Sequence, residues 1–312
     1  MTTGNPWITM IWLMIALPPS PVTTPKPGQE ADEPNQTVTK RQDPDRLTFR
    51  LKSWRLRLLP GKDLYPRYLA DPLRPMFELK TIKVADSDIA ESGDLRYGFR
   101  LGGQYGFLRL HPAGRDDRGF QLDVNGAILS HFDAEYHTDN IGWDGLYGFA
   151  ISWANGRGLA LRLAGKHDSA HIGDEYIERT GRTRIPYTRE EWALGISLAG
   201  RHWRVYGEVA DAYDQRNKTL QMAGRAQGGL EYVEGARWWG RRLGLFAAAN
   251  LTTYEENDWE ENLTVQTGLI LPVGRLERTY RIGLEYYGGR VPLGEFFQEE
   301  DRTFSFGLWF DL

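Results

Sequence analysis

The residues best equipped for chemistry lie together in Leu159–Tyr176, LALRLAGKHDSAHIGDEY. His167 and Ser169 stand two positions apart. On an extended chain, alternate residues share a face and lie about 6.5–7 Å apart along the backbone. At that spacing a neutral imidazole takes the proton of a hydroxyl nucleophile, and a third group fixes the tautomer of the ring. Asp174 and Glu175 are the nearby acids able to orient His167, provided the chain turns at Gly173. His171 shares the face and would contact a substrate. A competing chemistry is metal binding by His167 and His171 with Asp174 or Glu175. A regular strand spreads the two rings too far for one ion, so no metal is expected there. The plainest alternative is structural: imidazoles and acids beyond the last leucine of a strand mark its emergence into water.

What positions these residues is a strand of split character. Leu159, Leu161 and Leu163 share one parity with His167, Ser169 and His171, while Ala160, Arg162, Ala164 and Lys166 share the other. One face is therefore oily and the other small or charged. The same alternation recurs along the chain. Tyr97, Phe99 and Leu101 oppose Gly98, Arg100 and Gly102; Trp192, Leu194 and Ile196 oppose Ala193, Gly195 and Ser197; Tyr280, Ile282 and Leu284 oppose Arg281, Gly283 and Glu285. Turn signals such as Pro112-Ala113-Gly114, Asn155-Gly156, Gly200-Arg201 and Gly288-Gly289 separate the ribbons. About 12 strands of this kind predict an all-β fold, a closed antiparallel up-and-down transmembrane β-barrel. Composition agrees. A mean hydropathy of -0.51 is polar, yet the chain carries 11 Trp and 15 Tyr, as expected where only alternate residues meet lipid and aromatic girdles mark the interfaces. Soluble sandwiches also alternate, but they bury the oily face.

The net charge of -4, with no basic block, gives no case for nucleic acid. The absence of Cys removes disulfides and thiolate chemistry. Residues 1–20 contain the continuous apolar run WITMIWLMIAL, too short to span a bilayer and laid out like a secretory signal. Residues 21–57 read as a disordered, Pro-rich and polar tether. Residues 58–75 carry several prolines and are expected to pack at the periplasmic mouth of the barrel, which occupies 76–312.

Four segments resemble a family of bacterial outer-membrane barrels that carries a domain-of-unknown-function label. They are Leu58–Leu79, HDSAHIGDEY, EYYGGRVPLGEFF and the closing FGLWFDL. The family motif is H-x-S-x-H-[LI]-G-D-E-Y, and Ala170 stands where a second Ser is expected. The resemblance implies an outer-membrane barrel without a settled activity. The strand Phe304–Leu312 resembles the C-terminal signal read by the barrel-assembly machinery, with Leu312 in place of a terminal aromatic. His167-x-Ser169 also resembles the H-x-S of outer-membrane phospholipase A and the lipid A deacylase. In those enzymes His and Ser face the bilayer and a third residue follows a dozen or so positions on. Here Ala170-His171 replaces the Asn-Gly that follows in those enzymes, and no clear third residue occurs near Glu178–Arg182.

Arg100, Arg162, Arg204, Glu208, Arg281 and Glu285 fall on the inward parity and are expected to pair in the lumen, because unpaired buried charges are costly. The acidic stretch Asp133–Asn140 is either a solvated loop or a site for Ca2+, the only ion the chain suggests, while Glu255–Glu261 reads as a solvated hairpin tip; no other cofactor is expected. Outer-membrane lipids are the expected partners. Three functions follow: an envelope barrel with a structural or small-solute role, an acyl-ester hydrolase acting on membrane lipid through Ser169 and His167, and a narrow gated pore.

Overall fold

The structure, a computed structural model, describes residues 48–234, 237–238, 241–273 and 278–311. The signal-like segment 1–20, most of the tether and Leu312 lie outside them. The chain runs β1 (Thr48–Leu51), β2 (Trp54–Leu58), β3 (Phe77–Ser87), β4 (Leu95–Pro112), β5 (Arg118–Asp133), β6 (Asp139–Asn155) and β7 (Leu159–Ile172). A one-helix cap, α1 (Asp174–Thr180), follows, then β8 (Thr188–Ala199), β9 (Trp203–Gln215) and β10 (Gly224–Glu234). The small ladder β11 (Arg237–Trp238) and β12 (Arg241–Arg242) leads to β13 (Gly244–Tyr254), β14 (Glu261–Val273), β15 (Arg278–Arg290) and β16 (Glu300–Phe310).

Twelve strands, β3–β10 and β13–β16, form a closed antiparallel barrel. Each pairs with its chain neighbour, and β16 returns to β3 through Phe310↔Phe77 and Asp301↔Ser87. Closure leaves no barrel strand without a partner on either side, the condition lipid imposes on backbone N–H and C=O groups. Gly288 and Gly289, expected as a turn, lie inside β15 opposite Arg302 and Asp301 of β16, and the Asn262 carboxamide accepts from the Arg290 N–H next to them.

The parity reading holds in three dimensions. Leu161, Leu163, Trp192, Leu194, Ile196 and Leu198 are exposed on the outer wall, while Arg100, Arg204, Glu208, Arg281 and Glu285 are buried inside. Among the six lumen residues named from sequence, only Arg162 and Glu208 form an ion pair with each other, at 2.5 Å. The others find different partners. Glu285 pairs with Lys80 at 2.8 Å, Arg204 with Glu231 at 3.2 Å, and Arg281 donates to Gln266 at 2.7 Å.

Two departures concern the N-terminal region. Residues 48–57, expected within the tether, form the β1–β2 hairpin together with Leu58, and β2 pairs with β4 through Trp54↔Pro112 and Leu58↔Leu108. The physical reason is its own alternation: Phe49, Leu51, Trp54, Leu56 and Leu58 fall on one face and Arg50, Arg55 and Arg57 on the other. The segment 60–76 does not stop at a mouth; it runs into the lumen. Tyr65, Tyr68, Ala70 and Met76 are almost fully buried. Tyr68 stacks on Tyr206 at 3.8 Å and donates to Glu208 at 3.2 Å. Four prolines keep this plug irregular, so its carbonyls need donors from elsewhere. Barrel arginines supply them: Arg204 to the Arg67 carbonyl at 2.9 Å, Arg281 to that of Leu69 at 3.2 Å, and Arg100 to that of Arg74 at 2.9 Å.

The opposite end, away from the chain ends of β3 and β16, is closed by loops. Tyr176 of α1 is buried, donates to the Ala90 carbonyl at 2.6 Å and meets Phe296 edge-on. The helix starts at Gly173, where a Cβ would fall 1.7 Å from the Asn140 carbonyl oxygen, so only glycine fits the close approach. Glu295 accepts from Arg184 at 2.9 Å and from the Ile185 N–H at 2.8 Å. Burial pushes its carboxyl above the ordinary range, and those two donors draw it partly back. Between plug and cap lies a polar space of about 140 Å³ bordered by Arg162, Lys166, Glu191 and Arg225.

Candidate functional site on the outer wall

His167, Ser169 and His171 emerge on the lipid-facing side of β7, toward the capped end. Their strand neighbours are set by register: β6 places Tyr147 opposite His167, Gly145 opposite Ser169 and Trp143 opposite His171. The rings stack in pairs, Tyr147 on His167 at 4.2 Å and Trp143 on His171 at 4.1 Å. Two aromatic braces thus flank Ser169. Between them Gly145 contributes no side chain. A Cβ there would sit 3.5 Å from Ser169 Oγ, so the hydroxyl faces an open notch. Among the described residues no hydrogen bond holds Ser169 Oγ.

On the other side β8 places Glu190 opposite His167 and Thr188 opposite Ser169. His167 Nδ1 lies 2.5 Å from Glu190 Oε1. A carboxylate can only accept, so the proton of this bond belongs to Nδ1, and in the neutral ring the lone pair is left on Nε2. The second Glu190 oxygen receives the Tyr213 hydroxyl at 3.4 Å. Stacking and hydrogen bonding together fix the plane and tautomer of His167, and both contacts come from strands rather than loops.

The acid that meets His167 is therefore Glu190, not Asp174 or Glu175. Those two occupy the first turn of α1, exposed, with no bond to His167. The turn at Gly173 carries the chain over the barrel end instead of back along β7. A signal for Glu190 was present in the sequence: it stands on the oily parity of β8, ahead of Trp192, Leu194 and Ile196, where a charge has no structural reason to be.

His171 is held the opposite way. Arg184 Nη2 lies 3.1 Å from its Nδ1 and 3.3 Å from the Ala170 carbonyl. A guanidinium only donates, so Nδ1 of His171 accepts and its proton sits on Nε2. The acidic stretch 133–140, the Ca2+ candidate, is engaged internally. Asp133 accepts from the Gly93 N–H at 2.8 Å and the Glu135 N–H at 3.1 Å, and Asp139 accepts from Arg179 at 3.2 Å. Among the described residues no three His, Asp or Glu side chains converge as a metal site.

Chemically, the arrangement offers a hydroxyl, a neutral imidazole with a free nitrogen, and a carboxylate on its far nitrogen, all on the wall that meets lipid. Comparison with solved structures gives the same architecture. The outer membrane phospholipase A from Escherichia coli superposes with a TM-score of 0.52 at 12% identity, covering 77% of this chain and 94% of that one. The Salmonella typhi outer membrane phospholipase dimer with bound calcium gives 0.52 at 12% identity, over 80% and 95%. At these identities the likeness is one of fold. LpxR from Salmonella typhimurium matches at a TM-score of 0.37 and 11% identity, over 76% of this chain and 99% of that one. No curated protein matches the chain. A family model described as "Protein of unknown function (DUF1207)" matches residues 13–312, and the chain belongs to that family.

Proposed function

We propose that this protein is an interfacial acyl-ester hydrolase of the bacterial outer membrane, with Ser169 as nucleophile, His167 as general base and Glu190 as the orienting acid. The observation that carries the reading is the bond from His167 Nδ1 to Glu190 on the lipid-facing wall, two residues from an unbonded serine hydroxyl. An ionisable pair on that wall is expensive for a purely structural barrel, and intramembrane ionisable groups mark function. Substrate would arrive sideways from the bilayer, with its acyl chains along Leu161, Leu163 and Leu194 and its ester over the Gly145 notch.

In the forward step Nε2 of His167 takes the proton from Ser169 Oγ as the oxygen attacks the ester carbonyl. Glu190 stabilises the imidazolium that forms. The same proton then passes to the leaving alcohol, and water, activated in turn by His167, releases the fatty acid and regenerates Ser169. The fold of the phospholipase A structures supports the reading by analogy only. The signal-like segment 1–20, and Phe304–Leu312 as a mark for the assembly machinery, fit the same exported barrel. The plugged lumen disfavours the pore reading.

Refolded protein in mixed micelles is expected to release fatty acid from diacyl phospholipid. Ser169→Ala should abolish this while keeping heat-modifiable gel mobility, the mark of an intact barrel. Full activity in Ser169→Ala would end the proposal.

A further inference from the structure

The opposite tautomers of the two β7 histidines give them different partners. His167 presents a lone pair; His171 presents an N–H at Nε2. Arg184, whose side chain is 49% exposed, stands at the other nitrogen of the same ring, Nδ1. Glu295 takes its Nε, and His171 with the Ala170 carbonyl takes Nη2. Its Nη1 has no partner among the described residues. From this geometry we infer that His171 and Arg184 form a binding site for the phosphate of a lipid head group, which makes a glycerophospholipid the substrate class.

Three features lead there. The atoms left for a ligand, the Nε2–H of His171 and Nη1 of Arg184, are both donors, so the site suits an anion with several acceptor oxygens. It lies toward the capped end from Ser169, at the rim of the lipid-facing wall, where head groups rather than acyl chains belong. His171 and Ser169 are alternate residues of one strand, about 6.5–7 Å apart. That is close to the span between an ester carbonyl and the phosphate of one glycerophospholipid, so a single molecule reaches both. The charges around the site are balanced without ligand: Arg184 faces Glu295, and Arg182 pairs with Glu299 at 2.6 Å. Recognition therefore rests on directed donors and not on net charge, and weak dependence on ionic strength follows. The inference uses the hydrolase reading only to give Ser169 its meaning; the binding site stands on its own contacts.

Trp143, stacked on His171, provides a local probe. Its fluorescence is isolated as the difference between Ser169→Ala and Ser169→Ala with Trp143→Phe, in micelles doped with lipid brominated near the head group. Brominated phosphatidylglycerol is expected to quench this signal at about tenfold lower mole fraction than the matched brominated diacylglycerol. Adding Arg184→Gln should bring the two lipids together. Loosening of the cap in that variant would change both lipids alike and leave their ratio standing. Equal quenching by both lipids in the parent, or a preference that survives Arg184→Gln, would overturn the inference. So would displacement of phosphatidylglycerol by millimolar inorganic phosphate, which would make this a site for the free ion. Because the background cannot turn over, none of these outcomes depends on hydrolysis.

Discussion

Glu190 and Arg184 each donate to or accept from one histidine of β7, and that difference separates a base from a hydrogen-bond donor. Glu190→Gln leaves the shape of the site but favours the wrong His167 tautomer. Phospholipid turnover should fall by about 10²–10⁴-fold, with the barrel intact by gel mobility. Asp174→Asn, in the exposed first turn of α1, should leave turnover within twofold of the parent in the same assay; a comparable loss would return the orienting role to the acid expected from sequence. Gly145→Val should close the notch over Ser169 and lower kcat/KM without unfolding the protein, because nothing on the lumen side changes. Parity alone placed His167, Ser169 and His171 on the lipid side. It could not supply the third residue, because strand register decides which residue of β8 faces His167, and register is a property of the assembled sheet. Glu190 was still legible as a charge on an oily row.

The C-terminal end of the plug is tied to the barrel by a buried carboxylate. Asp311, just past β16, accepts from Arg74 of the plug and from Thr279. Burial alone would raise its carboxyl, but the guanidinium groups of Arg74, Arg281 and Arg67 prevail and hold it at about 2, below the ordinary 3.8. A carboxyl depressed in the folded state stabilises the fold above its unfolded value and loses that contribution as pH falls toward the folded one. Unfolding in denaturant should therefore show a stability loss between about pH 4 and pH 2 that Asp311→Asn removes. At neutral pH that variant should be less stable by about 3 kcal/mol, since it leaves Arg74 buried and unpaired. The plug was readable in part. Prolines excluded a strand over 60–75, but its partners Arg204, Glu231 and Arg281 lie far along the chain, and no local pattern reports contacts at that separation. The β1–β2 hairpin is legible in the alternation of Phe49, Leu51, Trp54, Leu56 and Leu58, which the interleaved Arg50, Arg55 and Arg57 mask by giving the stretch the polarity of a tail.

As a whole, the molecule is a barrel with a filled interior and a working exterior. The lumen is occupied by plug, cap and ion pairs, and a cavity of about 140 Å³ lies between plug and cap, large enough for water. Planar-bilayer recording on the intact protein should show no steady single-channel conductance; stable openings that change with Arg162→Ala would favour transport instead. The fold class was legible because a two-residue period sustained over twelve strands has few other solutions. Function was less so, since the same barrel serves enzymes, pores and scaffolds and only particular side chains distinguish them.

The central claim is that Ser169 is an activated nucleophile facing lipid. Its most direct test is covalent capture with a long-chain alkyl fluorophosphonate in micelles, read by mass spectrometry of the peptide containing Ser169. The account predicts one adduct, on Ser169, formed by the parent, slowed by at least about a hundredfold in Glu190→Gln and absent in His167→Ala. A folded parent protein whose Ser169 stays unlabelled, or labelling that is indifferent to His167, would contradict it.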